Sequence, residues 1–466
     1  MIWTKKHISI LLIISITSFM GTFLISSINI ALPAIEKTFG MDAVMLSWVV
    51  TSFLLATAMF QLPIGRWGDN SGVNKLYKVG LIVFTLSSLA SAFVPSGTWF
   101  IATRFLQGIG AAFTNTTGQA ILVSSFPAQH RGRVIGISVS AVYLGLSLGP
   151  FFGGMLTQQI GWQSIFIAST ILGFISISIA FRFLGKDDVQ SEKSGKLDYK
   201  GLILFMLGLL CLVYGSSQIP ETKGWIIMST GCISLVLFWL VELREEEPAI
   251  DVKLYTQNRL FSYSNLAALI NYCATAAIVF FLSLYLQKVK QLTPQQAGLI
   301  LIAQPIMMTL FSPLVGRMAD KFEPRIFATI GMSMCSVGLG AMAFLTTTTP
   351  HWVIILILLW VGLGFALFSS PNMTIIMSSV KRTQYGQASG SAASMRVIGQ
   401  MTSMTIVTLI FAAMFEGQAT EQVSNFTFLK AMKWGFLTFA TISLVGIYFS
   451  IERGKAPKYP EERLTT

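Results

Sequence analysis

Long apolar stretches alternate with short polar segments along almost the whole chain of 466 residues. A helix that crosses the hydrocarbon core of a bilayer, about 30 Å thick, needs roughly 20 mostly apolar residues. Fourteen stretches meet this requirement to within a few residues, each bounded by polar or turn-forming residues. We predict spans at 9–31, 43–64, 76–94, 98–122, 133–156, 162–184, 199–217, 225–242, 260–286, 295–318, 325–345, 351–376, 386–415 and 431–451. The pattern predicts an all-α polytopic membrane protein.

The composition agrees with a protein that lies in a bilayer. Hydrophobic residues make up 53% of the chain and charged residues only 11%, and the mean hydropathy is +0.68. A water-soluble protein of this composition would expose a very large apolar surface. We therefore exclude a soluble globular fold, and we expect the plasma (inner) membrane of a prokaryote.

The basic residues give an expected orientation. If the N-terminus is cytoplasmic, 24 of the 32 Lys and Arg residues fall at cytoplasmic ends or loops, six fall outside, and Arg104 and Arg396 lie within spans. Short cytoplasmic loops carry such an excess of Lys and Arg. We predict cytoplasmic N- and C-termini, and the net charge of +12 then requires no nucleic-acid partner.

The sequence argues against an enzymatic or ATP-driven function. No segment between predicted spans is longer than about 20 residues, and no Walker-type phosphate-binding loop is present. We therefore predict a protein that is not an enzyme and that uses no cofactor and no metal.

An internal repeat divides the spans into two sets. Gly65-Arg-Trp-Gly-Asp69 follows the second span, and Gly316-Arg-Met-Ala-Asp320 follows the tenth. With spans seven and eight as an insertion, each copy follows the second helix of a six-helix bundle, an arrangement usual in secondary transporters. We predict an N-terminal bundle at 1–184, a linker with two extra spans at 185–258, a C-terminal bundle at 259–455 and a cytoplasmic tail at 456–466.

Three motifs resemble those of the major facilitator superfamily. The segment from Gly65 to Lys75 resembles the signature loop of that family between helices two and three. Arg104-Phe-Leu-Gln107-Gly108 is similar to its Arg-x-x-Gln-Gly motif in helix four. The segment from Gly145 to Gly154 is similar to its antiporter motif in helix five, which is associated with exporters. The resemblance implies the major facilitator fold, a small-molecule substrate and a monomer.

Further segments resemble the drug/proton antiporter branch with fourteen spans. They are Asn29-Ile-Ala-Leu-Pro33, Trp162-Gln-Ser-Ile-Phe166 and Leu284-Tyr-Leu-Gln287. Two positions depart from the pattern: Leu24 stands where the branch often has an aspartate, and Glu323 stands where the second signature loop is expected to have glycine. At the first of these positions the chain lacks an embedded carboxylate of the kind that a proton-coupled exporter of cations normally needs.

The acids and histidines avoid the centres of the predicted spans. All 20 acidic residues and all three histidines fall in loops or at helix ends, and we expect those nearest the spans, among them Glu36 and Asp42, to contact water. Ionisable groups at bilayer depth are costly and usually functional. Proton coupling, if it occurs, would therefore use an acid at the rim, such as Glu36, Asp42 or Asp69.

Two arginines lie within the spans. Arg104 lies about one and a half turns into span four, so it either snorkels to the interface or bonds a neighbouring helix, or else it contacts the substrate. Arg396 lies about 15 Å into span thirteen at 1.5 Å per residue. It is either an anchor to backbone carbonyls or to Gln400, or it is the counter-charge of the substrate.

Uncharged polar residues within the spans either line a cavity or join helices. From these residues and the two arginines we predict a translocation path of Arg104, Gln107, Asn115, Arg396, Gln400, Asn29, Gln61, Asn271, Gln304 and Tyr143.

The resembled motifs imply two further sets of residues. The first is a cytoplasmic gate that stabilises the outward-open state, formed by Gly65, Asp69, Gly72, Lys75, Arg131, Gly316 and Asp320. The second is a helix-five packing motif whose glycines, four residues apart, permit close helix packing, formed by Gly145, Gly149, Pro150, Gly153 and Gly154.

The sequence favours a secondary transporter that exports a lipophilic or amphipathic small molecule by alternating access. Because the embedded charges are positive, a neutral or anionic substrate fits best. One alternative is a multidrug/proton antiporter for cationic drugs that uses a rim carboxylate. Another is a membrane sensor that does not transport but uses the scaffold of a transporter.

Overall fold

The computed structural model describes residues 4–126, 128–185, 199–244, 252–380 and 385–454, and these are helical almost throughout. The helices are α1 (Lys5–Phe39), α2 (Ala43–Ser71), α3 (Val73–Ser91), α4 (Gly97–Ser125), α5 (Ala128–Gln159), α6 (Gln163–Phe183), α7 (Tyr199–Ser217), α8 (Thr222–Glu242), α9 (Val252–Gln257), α10 (Arg259–Thr275), α11 (Ala277–Leu284), α12 (Pro294–Leu301), α13 (Ala303–Lys321), α14 (Pro324–Met342), α15 (His351–Ser378), α16 (Tyr385–Met414) and α17 (Asn425–Glu452).

Each predicted span corresponds to a helix or to a pair of helices in line. α10, α11 and a π-helical turn at Tyr285–Val289 form one span, and α12 with α13 forms another. Thirteen of the described spans are long and apolar enough to cross a membrane by length and composition. The remaining one is α4, whose polar residues lower its hydropathy and which packs between α2 and α3. The predicted all-α membrane fold is confirmed.

Hydroxyl and amide side chains begin many of these helices. Ser96 accepts a hydrogen bond from a backbone N–H in the first turn of α4, Asn258 does so for α10 and Ser424 for α17. Thr293 and Gln296 form a reciprocal capping box at the start of α12. These side chains satisfy N–H groups that have no partner within the helix.

The same helix pairings occur twice. In the first half α1 packs on α5, α2 on α4, and α3 on α4 and α6, while in the second half α10 packs on α16, α13 on α15, and α14 on α15 and α17. The two halves meet where α2 contacts α16 and where α5 contacts α12 and α13. This recurrence supports a division into two six-helix bundles, whose boundaries stay a prediction.

α7 and α8 form a hairpin outside the two repeated sets. α7 contacts both α2 and α16, with Trp48 of α2 lying 6.4 Å from Tyr214 between ring centroids. α8 packs chiefly on α7 and exposes large apolar side chains such as Trp225 and Ile233. The hairpin therefore lies beside one of the two lines along which the halves meet.

The two ends of the helical bundle differ in the helix termini that they carry. We call the side on which α1 begins and α17 ends the terminal end, and the side on which α1 ends and α17 begins the distal end.

Candidate functional site

Arg104 is buried within the first half, with only 1% of its surface exposed. Its Nε donates to the backbone carbonyl of Val49 at 3.1 Å, and another nitrogen donates to the side-chain oxygen of Gln107. The guanidinium lies 4.5 Å from the ring centroid of Phe53. Snorkelling to the interface is therefore wrong, because the guanidinium is buried against α2, whose carbonyl and ring the sequence could not identify as its partners.

Gln107 extends the contacts of Arg104 to a third helix. Its amide nitrogen donates to the hydroxyl of Ser88 in α3 at 2.5 Å. Together these bonds join α4 to α2 and to α3. In the conformation described, Arg104 and Gln107 hold helices of one half together.

Arg396 lies half-buried in α16 and has a different environment. The phenol of Tyr272 in α10 lies near the hydroxyl of Ser369 in α15 and within electrostatic range of the Arg396 guanidinium and of the Tyr143 phenol. The ring of Tyr272 packs edge-on against Phe365 at 5.4 Å. Among the described residues, no carboxylate forms a salt bridge with Arg396.

This cluster brings the two halves together at predicted residues. Tyr143 belongs to α5 of the first half, and Tyr272 and Arg396 belong to α10 and α16 of the second, so the Tyr272 phenol is within electrostatic range of a charged or polar group from each half. The sequence reasoning missed Tyr272. Its position directly after Asn271, a predicted site residue in the same span, was the available signal.

Four predicted amides are buried with unpaired atoms. Among the described residues neither amide atom of Asn271 has a hydrogen-bond partner, and the side-chain oxygens of Asn29, Gln61 and Gln304 have none. The nitrogen of Asn29 donates to the carbonyl of Ile25 at 3.0 Å. A buried, unpaired amide costs about 1–3 kcal/mol, so these groups are suited to binding water or a ligand.

The remaining predicted path residues are less enclosed. Asn115 is exposed on α4, and Gln400 is half-buried one turn beyond Arg396. Gln61 borders a small cavity with Phe205 of α7 and Ser394 of α16. The cavity lies where the hairpin covers the contact between the two halves.

The predicted signature loop is largely helical. We expected span two to end at Ile64, but α2 continues through Gly65 and Asp69 to Ser71. α3 begins at Val73, and Gly72 alone makes the turn with a φ of 88°, a conformation that glycine adopts without strain. The end of the apolar pattern marks where the helix leaves the membrane, and its backbone hydrogen bonds continue beyond that point.

The other gate residues are described only in part. Lys75 is exposed in the first turn of α3, and Gly316 lies within α13, facing Ser370. The side chains of Asp69, Arg131 and Asp320 lie outside the described residues. The predicted gate stays a prediction.

Three glycines of the helix-five motif form a groove against α1. A Cβ at Gly145 would lie 2.2 Å from the hydroxyl of Thr22, and one at Gly149 or Gly153 would lie 2.6 Å from a Cβ of α1. The hydroxyl of Ser27 donates to the carbonyl of Gly149 at 3.0 Å. The missing side chains allow this close approach within one half.

The fourth glycine of the motif faces the other half. A Cβ at Gly154 would lie 2.4 Å from the carbonyl oxygen of Pro294 at the start of α12. Reciprocally, a Cβ at Gly298 would lie 2.1 Å from the carbonyl oxygen of Pro150. The two halves therefore touch backbone to backbone at the distal end.

Glu36 lies at the distal end and is buried, contrary to our expectation of a carboxylate in contact with water. Its exposed fraction is 3%, and its carboxylate accepts hydrogen bonds from the backbone N–H and the hydroxyl of Thr420. Thr420 belongs to the connection between α16 and α17. The halves meet over Glu36, and a sequence pattern of one helix does not show what covers its end.

Other hydrogen bonds between the halves lie in the distal or middle part of the described bundle. The hydroxyls of Ser47 and Thr408 are 2.8 Å apart, and the N–H of Ala43 donates to the carbonyl of Gln418 at 3.0 Å. These contacts close the distal end in the conformation described.

Comparisons with known proteins agree with this architecture. The model of the Major Facilitator Superfamily matches residues 11–404 and, in a second match, residues 264–464. The riboflavin transporter RibZ of Clostridioides difficile (strain 630) is 30% identical over 454 residues, which cover 96% of this chain and 97% of that protein. The multidrug resistance protein Stp of Mycobacterium tuberculosis (strain ATCC 25618 / H37Rv) is 29% identical over 398 residues, which cover 83% and 72% of the two chains.

A solved structure shows the same fold. The D-xylose-proton symporter superposes with a TM-score of 0.67 at 13% sequence identity, covering 96% of this chain and 98% of that one.

Proposed function

Because the chain belongs to the major facilitator superfamily, we propose that it exports a neutral or anionic, lipophilic or amphipathic small molecule by alternating access. The observation that carries this proposal is the cluster of Arg396, Tyr272 and Tyr143 between the two halves. A molecule bound there contacts both halves, so their movement changes the side from which it is reached.

The chemistry of the cluster favours a flat substrate with oxygen acceptors. Guanidinium is a planar group with several donors and no acceptor, and tyrosine rings offer faces for stacking together with a hydroxyl. The buried amides of Asn271 and Gln304 are further polar groups in the spans. Riboflavin has such a ring system with carbonyl oxygens, and the similarity to RibZ makes it the first compound to test.

The proposal also includes the orientation of the protein in the membrane. The excess of Lys and Arg in the loops of the terminal end supports a cytoplasmic location of that end by the positive-inside rule. With the distal end closed, the conformation described is then closed toward the outside. The gate residues from Gly65 to Lys75 would act in the opposite, outward-open state, and the transporter works as a monomer.

A cationic-drug/proton antiporter of the fourteen-span branch is the second candidate. The similarity to Stp favours it, and Glu36 is a carboxylate at the contact between the halves. In that case drug binding and protonation would exclude each other at a carboxylate, and Arg396 would have no part in substrate binding.

The test compares two compounds in purified protein reconstituted into liposomes. Counterflow of labelled riboflavin and of a cationic dye is measured for the wild type, for Arg396→Ala and for Arg259→Ala. Arg259 is a suitable control because it is an exposed arginine paired with Glu452 at 2.6 Å, and such pairs contribute little to stability.

We expect riboflavin counterflow that is lost in Arg396→Ala and kept in Arg259→Ala. Dye counterflow with proton exchange that Arg396→Ala leaves unchanged would favour the antiporter. If the wild type moves neither these compounds nor any of a panel of anionic and neutral amphiphiles, the non-transporting sensor is the better explanation.

A further inference from the structure

Two segments that carry the family resemblance meet at the distal end. They are the end of the first span around Asn29-Ile-Ala-Leu-Pro33 and the segment from Leu284 to Gln287. The hydroxyl of Ser283 donates to the backbone carbonyl of Asn29. One turn later, the amide nitrogen of Gln287 donates to the carbonyl of Ile30 at 2.9 Å. Both hydrogen bonds connect one half of the molecule to the other.

Pro33 explains why a helix carbonyl is available for this contact. In an α-helix the carbonyl of Asn29 would accept the N–H of residue 33, but proline has no N–H. A buried carbonyl without a partner is costly. The hydroxyl of Ser283 takes the place of the missing donor, so the proline of one half creates an acceptor for the other half.

The donor segment is fixed firmly to the second half. Gln287 lies in the π-helical turn at Tyr285–Val289. The hydroxyl of Tyr285 donates to the carbonyl of Thr346 at 2.6 Å, and the ammonium group of Lys288 donates to the carbonyl of Glu421 at 3.1 Å. π-Helical turns are rare and occur often at functional sites. Here the turn is bonded to both neighbouring distal connections while it holds Gln287 against α1.

The two donors also support each other. The amide nitrogen of Gln287 lies 3.1 Å from the hydroxyl oxygen of Ser283; Ser283 is buried and Gln287 is half-buried. The contact therefore forms one unit of two donors from α11 and the π-helical turn on two acceptors of α1.

We infer that Ser283 and Gln287 form a latch that holds the distal end closed and that must release α1 in every transport cycle. We call these two side chains with the carbonyls of Asn29 and Ile30 the distal latch. The inference rests on alternating access, the proposed function, but it concerns residues that touch no part of the Arg396 cluster. Its test therefore needs no substrate.

The experiment measures the opening of the distal end directly. Spin labels are placed at Phe93→Cys in the α3–α4 connection and at Thr348→Cys in the α14–α15 connection, both exposed, with the four native cysteines replaced by alanine. Double electron–electron resonance then gives the distance distribution in phospholipid nanodiscs without substrate.

Three variants weaken the latch and one serves as control. Gln287→Ala removes the amide donor, and Ser283→Ala removes the hydroxyl. Pro33→Ala supplies an N–H within α1 that competes for the carbonyl of Asn29. Gln422→Ala is the matched control, because Gln422 is exposed in the distal connection between α16 and α17. Loss of one such hydrogen bond changes an equilibrium constant by roughly two- to tenfold.

We expect the ratio of long to short distances to rise about tenfold in Ser283→Ala, where the carbonyl of Asn29 loses its donor, and about threefold in Gln287→Ala and Pro33→Ala, with no change in Gln422→Ala. Unchanged ratios in all three variants, or an equal rise in the control, overturn the latch. A shifted ratio in a protein that transports no compound would refute the proposed function and keep the latch. Riboflavin transport together with unshifted ratios would refute the latch and support the proposed function.

Discussion

A methyl group at Gly298 tests whether the contact between α5 and α12 belongs only to the distal-closed conformation. The Cβ of Gly298→Ala would lie 2.1 Å from the carbonyl oxygen of Pro150 and 2.8 Å from its carbonyl carbon. Both are backbone atoms, so no side-chain rotation relieves the clash. The two helices must separate by about 1 Å to reach 3.0 Å, the shortest distance that real Cβ atoms show.

The size of the effect follows from the cost of overpacking. Inserting a methyl group into a well-packed contact costs typically about 1–3 kcal/mol. Because the clash exists only when the halves touch, this cost raises the free energy of the distal-closed state and leaves the distal-open state unaffected. At about 1.4 kcal/mol per tenfold, the ratio of open to closed molecules rises about 5- to 140-fold.

The assay is the distance distribution between labels at Phe93→Cys and Thr348→Cys, with Gly340→Ala as the matched control. Gly340 also lies in a helix, but a Cβ there meets nothing within 4 Å. We expect longer distances in Gly298→Ala and the wild-type distribution in Gly340→Ala. A wild-type distribution in Gly298→Ala would refute the reasoning, because it would mean that the two backbones do not touch in the membrane.

Two further predictions concern buried polar residues. Arg104→Met keeps most of the volume but removes the donors to Val49 and Gln107, so we expect a loss of about 2–3 kcal/mol in stability, measured by thermal unfolding in detergent. The exposed Arg182→Met serves as control, and equal losses in the two variants would contradict the structural role. Asn271→Leu removes two unpaired amide atoms, so we expect the melting temperature to rise while counterflow of riboflavin falls. A lower melting temperature would show that the amide has partners.

The hydrophobic pattern was sufficient to predict the architecture. Each stretch of roughly 20 apolar residues became a helix or two helices in line, because in a bilayer the backbone must satisfy its hydrogen bonds within the segment. The echo of Gly65–Asp69 in Gly316–Asp320 likewise indicated the repeated pairing of helices. Boundaries were less predictable, as the continuation of α2 to Ser71 shows.

The partners of single side chains could not be predicted. Glu36 falls near the end of an apolar stretch, and its burial depends on Thr420, which is 384 positions away in the chain. Arg104 similarly finds an acceptor in α2, and the role of Tyr272 depends on residues of three other helices. The packing role of the glycines of α5 was easier to predict, because their spacing within one helix indicates a common face. Even for these glycines, only the structure shows that Gly154 faces the second half while Gly145, Gly149 and Gly153 face α1.

The hairpin of α7 and α8 makes the two flanks of the molecule unlike each other. The repeated pairings would give both flanks the same surface toward the lipid, but α7 lies across the flank where α2 meets α16. A lipophilic compound dissolved in the bilayer thus approaches one flank through an added wall of helix and the other directly at the contact of α5 with α13. The two inserted helices therefore make the molecule asymmetric within the plane of the membrane, although its two halves repeat the same helix pairings.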